Sequence, residues 1–422
     1  MRTEPDRPAP APRRTELDVL RALVVVGLVF FHAALVFSPD DDFYVKNADT
    51  TDAVTVVAGL GVVWAMPMLF LVAGLGARHS VRRRGPGGFA RERLLRLGVP
   101  LVFATAVLCP LPQWLRQRAA DPSYHESYGR FWPRFFDVRP DPADFPFVLD
   151  GEHFETGHLW FVVLLLVFCL LIAAVAAPVA AAGDRAAAVL AARPALLLLP
   201  ALPLALVNAL LGMEEGFAGW NRWTYLLFFA YGYALADDAR VRACMRRLAV
   251  PAGVAGLLLF AATAPGFASG DDPFTDRSPF ALLTRVLFSV TGWCWVVALL
   301  GLLDRRRARR SPAPPRPPTP TAVPESPPDQ EPAAAPGRGA ALLGRLVVAA
   351  LPLYVLHQPV VVAIAYGVVG WNAPIAVEYA VIVAASLAVT LLVYDLLVRR
   401  TAPTRFLFGM RSTPTSPPPP PP

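Results

Sequence analysis

An arginine and a histidine set inside one long apolar run are the first residues in this chain that could do chemistry. The run opens Leu17-Asp18-Val19-Leu20-Arg21 and continues through three valines to Phe30-Phe31-His32, so eleven positions lead from Arg21 to His32. That interval is close to three helical turns, which puts both side chains on one face with His32 about 16 Å further along the axis. Asp18, three residues before Arg21, can pair with the guanidinium and hold it. An ionisable side chain within a membrane-crossing helix costs several kcal/mol unless it faces the bundle interior or a wet cavity. Histidine titrates near neutrality, so His32 suits a general base at the end of a cavity, with Arg21 on the same face below it. The bland alternative is a snorkelling arginine and a hydrogen-bonded packing histidine.

Other positions offer weaker chemistry. Arg93 and Arg96 lie one helical turn apart after Phe89 and before Pro100, a spacing that could grip a phosphate by bidentate contacts but also suits ordinary basic anchors. His158 and Trp160 stand where a long loop meets an apolar run; Trp160 reads most simply as an interfacial residue and His158 as lining a mouth. Tyr354 and His357 precede Pro359, and a polar side chain there could satisfy backbone groups that a proline exposes. Glu378 and Asp395, near the ends of the last apolar run, are expected to snorkel. Cys109, Cys169, Cys244 and Cys294 fall singly, without metal-ligand or redox spacing, so neither a metal site nor a disulfide is expected.

These side chains need an apolar scaffold to hold them. The chain is 55% hydrophobic over 422 residues with a mean hydropathy of +0.46, too apolar for a soluble fold of this size. Its net charge of +7 comes almost wholly from arginine, with Lys46 the lone lysine, a bias that does not point to nucleic acid as a partner. About ten runs are long enough to cross a hydrocarbon core of about 30 Å: residues 17–37, 53–77, 97–114, 158–178, 195–212, 222–237, 248–264, 279–303, 345–370 and 375–398. The loops between them alternate in sign. Arg78 to Arg96, Arg185 with Arg193, Arg240 to Arg247, Arg305 to Arg310 and Arg399 to Arg411 mark one side; Asp40 to Asp42, the loop 115–157, Glu214 with Glu215, and Asp271 to Asp276 mark the other. By the positive-inside rule the first set is cytoplasmic, as are both termini. The expectation is an all-α polytopic membrane protein of the plasma or inner membrane, in contact with its lipids. A disordered tail (1–14) leads into a core of eight spans (15–303), followed by a Pro/Arg-rich cytoplasmic linker (304–339), two further spans (340–400) and a Pro-rich tail (401–422). Pro352 and Pro359 suggest that the ninth span divides into a short helix and a kinked crossing.

In order and in place, Leu17-Asp18-Val-Leu-Arg21 with His32, Arg93-Leu-Leu-Arg96, His158-Leu-Trp160-Phe161 and Leu353-Tyr354-Val-Leu-His357 resemble the integral-membrane acyltransferase family often called acyltransferase three. That family includes bacterial O-acetyltransferases and the succinyltransferase of osmoregulated periplasmic glucans, and the likeness covers nearly the whole chain. The resemblance implies transfer of an acetyl or other short acyl group from cytoplasmic acyl-CoA, usually acetyl-CoA, which serves as co-substrate and is not bound permanently, to a hydroxyl of a carbohydrate or other acceptor at or beyond the membrane. It makes His32 and Arg21 the catalytic pair and Arg93 with Arg96 the cytoplasmic arginines that meet the CoA phosphates, with Asp18, His158, Trp160, Tyr354 and His357 in support. Direct transfer and a transient acyl-histidine both stay open. An exporter or flippase of a glycan or lipid-linked precursor is the competing reading, since transporters also place charges at mid-depth; the lack of an internal repeat and of a second deep acidic residue weighs against it.

Overall fold

The computed structural model describes residues 15–39, 42–235, 238–269, 272–310 and 338–410. The expected terminal tails before residue 15 and after 410, most of the linker, and Asp40, Asp41 and Asp271 lie outside the described residues. What is described is almost entirely helical. Helix α1 (Thr15–Leu35) is followed by α2 (Asp52–Arg93), α3 (Val99–Val107) and α4 (Pro110–Ala120). A connection containing α5 (Tyr128–Arg134) and a two-residue antiparallel pair, β1 (Arg139–Pro140) with β2 (Leu149–Asp150), then leads to α6 (Trp160–Ala174) and α7 (Ala176–Ala192). The remaining helices are α8 (Ala201–Leu211), α9 (Arg222–Leu235), α10 (Ala239–Phe267), α11 (Pro279–Arg310), α12 (Arg338–Val368), α13 (Ile375–Val393) and the short α14 (Ala402–Leu407).

Among the described residues, eight stretches are long and apolar enough to cross a membrane. The stretch from Asp52 to Ala120 holds two of the expected spans, divided where Gly85 takes a positive φ of 71° just before Pro86, so one helix cannot continue through both. The expected span 222–237 is α9, fourteen residues and about 21 Å long. It is short for a bilayer but enclosed by other helices, with Tyr225, Phe228, Phe229 and Tyr233 all buried. The fold is therefore all-α and polytopic, and the ten expected runs each correspond to helix.

Backbone contact explains the seating of α9. Helices α2 and α9 pack together, and a Cβ placed on Gly232 or on Gly74 would overlap the Leu71 or the Phe229 carbonyl oxygen respectively. Small residues that let two helices touch are a main source of attraction in lipid, where apolar burial alone gives little.

Three local expectations need correction. Helix α12 runs unbroken through Pro352 and Pro359, so the ninth span does not split in two. Glu378 does not snorkel: it is buried at the start of α13, where its carboxylate takes hydrogen bonds from the Ala373 amide at 3.1 Å and from the Asn47 side chain. Within the segment expected to be a Pro-rich tail, residues 402–407 are helical, and the turn after them docks on the third span through Arg96 Nε to Gly409 O at 3.2 Å and the Phe103–Phe408 ring pair.

Charge is sorted along the bundle. One end carries Glu16–Arg307, Arg78–Asp184, Arg246–Asp304 and the Glu92 cluster, and the opposite end carries Arg116–Asp42, Arg139–Asp150 and Arg222 between Asp144 and Glu214. Arg78, expected among loop arginines, is buried inside the helical part of α2, where it also donates to the Tyr233 carbonyl. Replacing Gly232 with leucine should force α2 and α9 apart at a cost of about 1–3 kcal/mol, read as a lowered melting temperature of the detergent-solubilised protein; an unchanged melting temperature would show that this backbone contact is not what seats α9.

Candidate functional site

His32, His158 and His357 come from three distant parts of the chain and meet in one cluster. The His32 and His357 ring centroids lie 5.1 Å apart, and those of His158 and His357 5.0 Å apart. Packing of α1 along α12 brings the first pair together. The second pair depends on Pro359. A proline has no amide hydrogen, so the carbonyl four residues earlier, that of Val355, loses its helical donor. His158 Nε2 fills that vacancy with a hydrogen bond of 3.1 Å to Val355 O. Two more bonds fix the turn carrying His158: its own amide donates to Gln358 Oε1 at 2.9 Å, and the Tyr354 hydroxyl donates to the His158 carbonyl. The exposed backbone group that a proline leaves is thus satisfied from across the bundle, by His158 and not by the neighbouring His357.

The hydrogen bonds also settle tautomers. His357 Nδ1 lies 2.5 Å from the Tyr354 carbonyl, which can only accept, so Nδ1 carries the proton and Nε2 keeps a lone pair. That Nε2 is buried without a partner, and so is Nδ1 of His32 on the adjacent ring. Orphaned buried nitrogens are rare and costly, and two on neighbouring rings mark a place where a proton or a ligand is expected. Among the described residues, no group of three His, Cys, Asp or Glu side chains is arranged to hold a metal ion.

His32 lines a cavity of about 960 Å³. Along α1 its wall is the stripe Leu20, Val24, Gly27, Phe31, His32 and Leu35, the spacing of one helical face. The cavity continues past the imidazole to Leu20, twelve residues nearer the start of α1 and about 18 Å away. Two halves result. On the Leu20 side of His32 the walls are apolar, with Leu28 and Val24 of α1 facing Gly61, Val62 and Ala65 of α2. On the other side they are polar and aromatic: Tyr44, Asp141, Asp144, Phe147, Asp150, Glu155, His158, Trp160, Glu215 and Gln358. Half of these residues come from the loop 115–157, which forms one side of this end of the cavity.

Arg21 flanks the stripe without lining the cavity. Its guanidinium donates to the Val72 carbonyl of α2 at 2.7 Å and faces Asp18 at 3.4 Å, so the half-buried side chain bridges two helices beside Leu20. Trp160 is not a belt residue; it lines the cavity and packs on Phe217 and Tyr225 at 5.4 Å from each. Tyr354 lines the cavity and His357 lies fully buried behind it.

Arg93 and Arg96 are elsewhere: Arg93 ends α2, and Arg96 lies in the π-helical turn Leu94–Gly98 that joins α2 to α3. Arg84, Arg93 and Arg96 converge on Glu92 at 3.0, 3.6 and 3.2 Å, and Arg93 lies over the Phe89 ring. The structure thus groups His32, His158, Trp160, Tyr354 and His357 in one place, seats Arg21 and Asp18 toward the apolar end of the cavity, and keeps the arginine pair in a separate basic cluster.

Glu155, Tyr44 and Gln358 were not singled out from the sequence. Glu155 accepts a hydrogen bond from the Tyr44 hydroxyl at the cavity wall. Burial, with the negative charge of Asp42 added, pushes its carboxyl up to about 7. Gly157 makes room for this pair: its φ is +48°, and a Cβ there would stand 2.8 Å from the Tyr44 hydroxyl. A carboxyl whose folded-state pKa is raised favours the fold while protonated, and that contribution is lost as pH rises through about 7. The melting temperature in detergent should accordingly fall between the ordinary carboxyl value of 4.5 and the raised value of about 7, and level off above it, and Glu155→Gln should flatten that slope; an equal slope in the variant would assign it to other groups.

No curated protein and no solved structure matches the chain. A family model does: the acyltransferase domain of acyltransferase family three matches residues 14–395, from the start of α1 to the end of α13 and across every side chain of the cavity. A multi-pass bundle with a histidine-lined cavity, matched over nearly its whole length in this way, belongs to acyltransferase family three, and the protein is a membrane acyltransferase.

Proposed function

We propose that the protein moves an acetyl or other short acyl group from acyl-CoA to the hydroxyl of an acceptor, with the two substrates entering the cavity from opposite ends and meeting at His32. The observation that carries this reading is the position of His32 at the boundary between the apolar and the polar halves of one continuous cavity. The apolar half, reaching Leu20 beside Arg21, suits the uncharged arm and acyl group of the donor. The polar half suits a hydroxylic acceptor. The charged nucleotide end of CoA stays outside the cavity, and Arg93 with Arg96 supply a cluster of its complementary sign; Glu92 offsets one of the three guanidinium charges gathered there. On the positive-inside rule that end is cytoplasmic and the polar end external.

The step follows from the imidazoles. A hydrogen bond from His32 Nδ1–H to the lone pair on His357 Nε2 satisfies both orphaned nitrogens and leaves His32 Nε2 as the base. The acceptor oxygen attacks the thioester carbonyl as its proton passes to His32 Nε2. The carbon–sulfur bond then breaks, and the same proton goes to the leaving thiolate, giving ester and free CoA with no net change in protonation. His357 orients the base and shares the imidazolium charge, and its own ring is held by the Tyr354 carbonyl.

Thiol release from acetyl-CoA in inside-out membrane vesicles, in the presence of a mixed sugar and polyol extract, tests the reading. His32→Ala should lower the rate by about a hundred-fold or more, with normal membrane insertion; full activity in that variant would sink the mechanism. Gly27 gives an independent check on the donor path. It faces the cavity five residues on the Leu20 side of His32, and nothing lies within 4 Å of a Cβ built on it. Gly27→Leu should therefore fold normally, fill the apolar half and cut turnover by about ten-fold or more; unimpaired turnover would mean that the acyl arm travels by another route.

A further inference from the structure

The acceptor half of the cavity sorts charge by sign. The loop 115–157 contains five arginines, Arg116, Arg118, Arg130, Arg134 and Arg139, and eight acidic residues. None of those arginines lines the cavity, whereas Asp141, Asp144, Asp150 and Glu155 do, and Glu215 joins them from the connection between α8 and α9. No lysine or arginine from any described element contributes to the wall. Two of the five carboxylates have cationic partners set behind them: Asp150 takes Arg139 at 2.6 Å and Asp144 takes Arg222 at 2.7 Å. Asp141 caps a turn through the Ala143 amide, and among the described residues neither it nor Glu215 has a cationic partner, whereas the carboxyl of Glu155, raised to about 7, adds only part of a charge. The wall is therefore net negative. It is also aromatic, with Trp64, Phe147, Phe154, Trp160 and Phe217 around the same space. Aromatic faces with carboxylates between them are the surroundings in which an ammonium group is most stable outside water.

Resting on the acceptor role proposed for this half of the cavity, we infer that the natural acceptor is an amine-bearing hydroxyl compound, such as an amino sugar, whose cationic group is held by Asp141 and Glu215 while a hydroxyl reaches His32. Acceptors carrying a phosphate or a carboxylate are repelled by the same wall. The electrostatics also explain why the donor must come from the other end, since a CoA head group with its several phosphate charges is excluded here. The aromatic rings take the apolar faces of the sugar, and the carboxylates select its charge.

The test separates binding from catalysis. Glucosamine, glucose and glucuronate are matched in size and differ in charge; each is added to the wild-type protein in lipid nanodiscs, and binding is read by saturation-transfer NMR. Glucosamine should bind about five-fold or more tightly than glucose, and glucuronate more weakly than either. In the double variant Asp141→Asn with Glu215→Gln, in which asparagine can still accept from the Ala143 amide, the preference should shrink to about two-fold or less. Glucuronate binding as well as glucosamine, equal binding of glucosamine and glucose, a preference untouched by the double variant, or no binding by any of the three would each overturn the inference. Loss of thiol release in His32→Ala is read separately, so a wrong acceptor class and a wrong reaction give different patterns.

Discussion

One missing amide hydrogen organises the centre of this protein. Pro359 leaves the Val355 carbonyl without its helical donor in a part of the bundle where water is scarce, and an unsatisfied carbonyl there costs on the order of 1–3 kcal/mol. His158 removes that cost by donating across the bundle, and in doing so commits its ring to one tautomer and one orientation. The Tyr354 hydroxyl and the Gln358 side chain, on the same helix, then hold the His158 turn at two further points. Polar networks buried in this way are stable only when nearly complete. Beside this network two imidazole nitrogens keep no partner, His357 Nε2 and His32 Nδ1, and they lie on adjoining rings.

In the proposed mechanism this pair of rings is what gives His32 its role. An imidazole surrounded only by apolar side chains would be held at random between two tautomers, whereas pairing of His32 Nδ1 with a fixed lone pair would present Nε2 to the cavity. The lone pair for that pairing is the one on His357 Nε2, since the Nδ1 proton of His357 is committed to the Tyr354 carbonyl. Helix α12 would then supply the orientation and α1 the reacting group, and the two helices pack against each other. Arg21, bound to the Val72 carbonyl and beside Asp18, ties the other end of α1 to α2. Helix α1 is therefore fixed at both ends of the cavity that it lines.

The sequence made the scaffold legible because membranes impose a length and a hydropathy on every crossing, and all ten apolar runs appear as helix. It also exposed the polar residues on α1 and the short words His158-Leu-Trp160 and Tyr354-Val-Leu-His357, since such residues stand out against apolar neighbours. It did not show that His158 and His357 meet, nor which of them satisfies the backbone freed by Pro359, because that is a contact between segments about two hundred positions apart. Glu155 and Tyr44 stayed hidden for a different reason: in a loop already rich in acids and aromatics, no local pattern distinguishes the carboxylate that turns inward. Glu378 and Arg78 were read as surface groups from their places near helix ends, yet each is itself buried and bonded to a distant loop or helix. Near a membrane interface, sequence position gives depth but not direction.

For the proposed transfer from acyl-CoA to a hydroxyl, the cavity's division at His32 has a thermodynamic consequence. A thioester arm has little affinity for water-lined carboxylates, and a charged or hydroxylic acceptor has little for a slot walled by leucine, valine and glycine. Each substrate is therefore most stable on its own side, and the imidazole stands where the two environments change. Little binding energy is needed to keep acceptor from occupying the donor slot or donor from blocking the acceptor half, because solvation does the sorting. The same arrangement limits hydrolysis, since water reaching the thioester must pass through the acceptor half while that half is filled. A bundle with this geometry can remain open at its polar end and still transfer an acyl group to a hydroxyl in preference to water, without a moving lid.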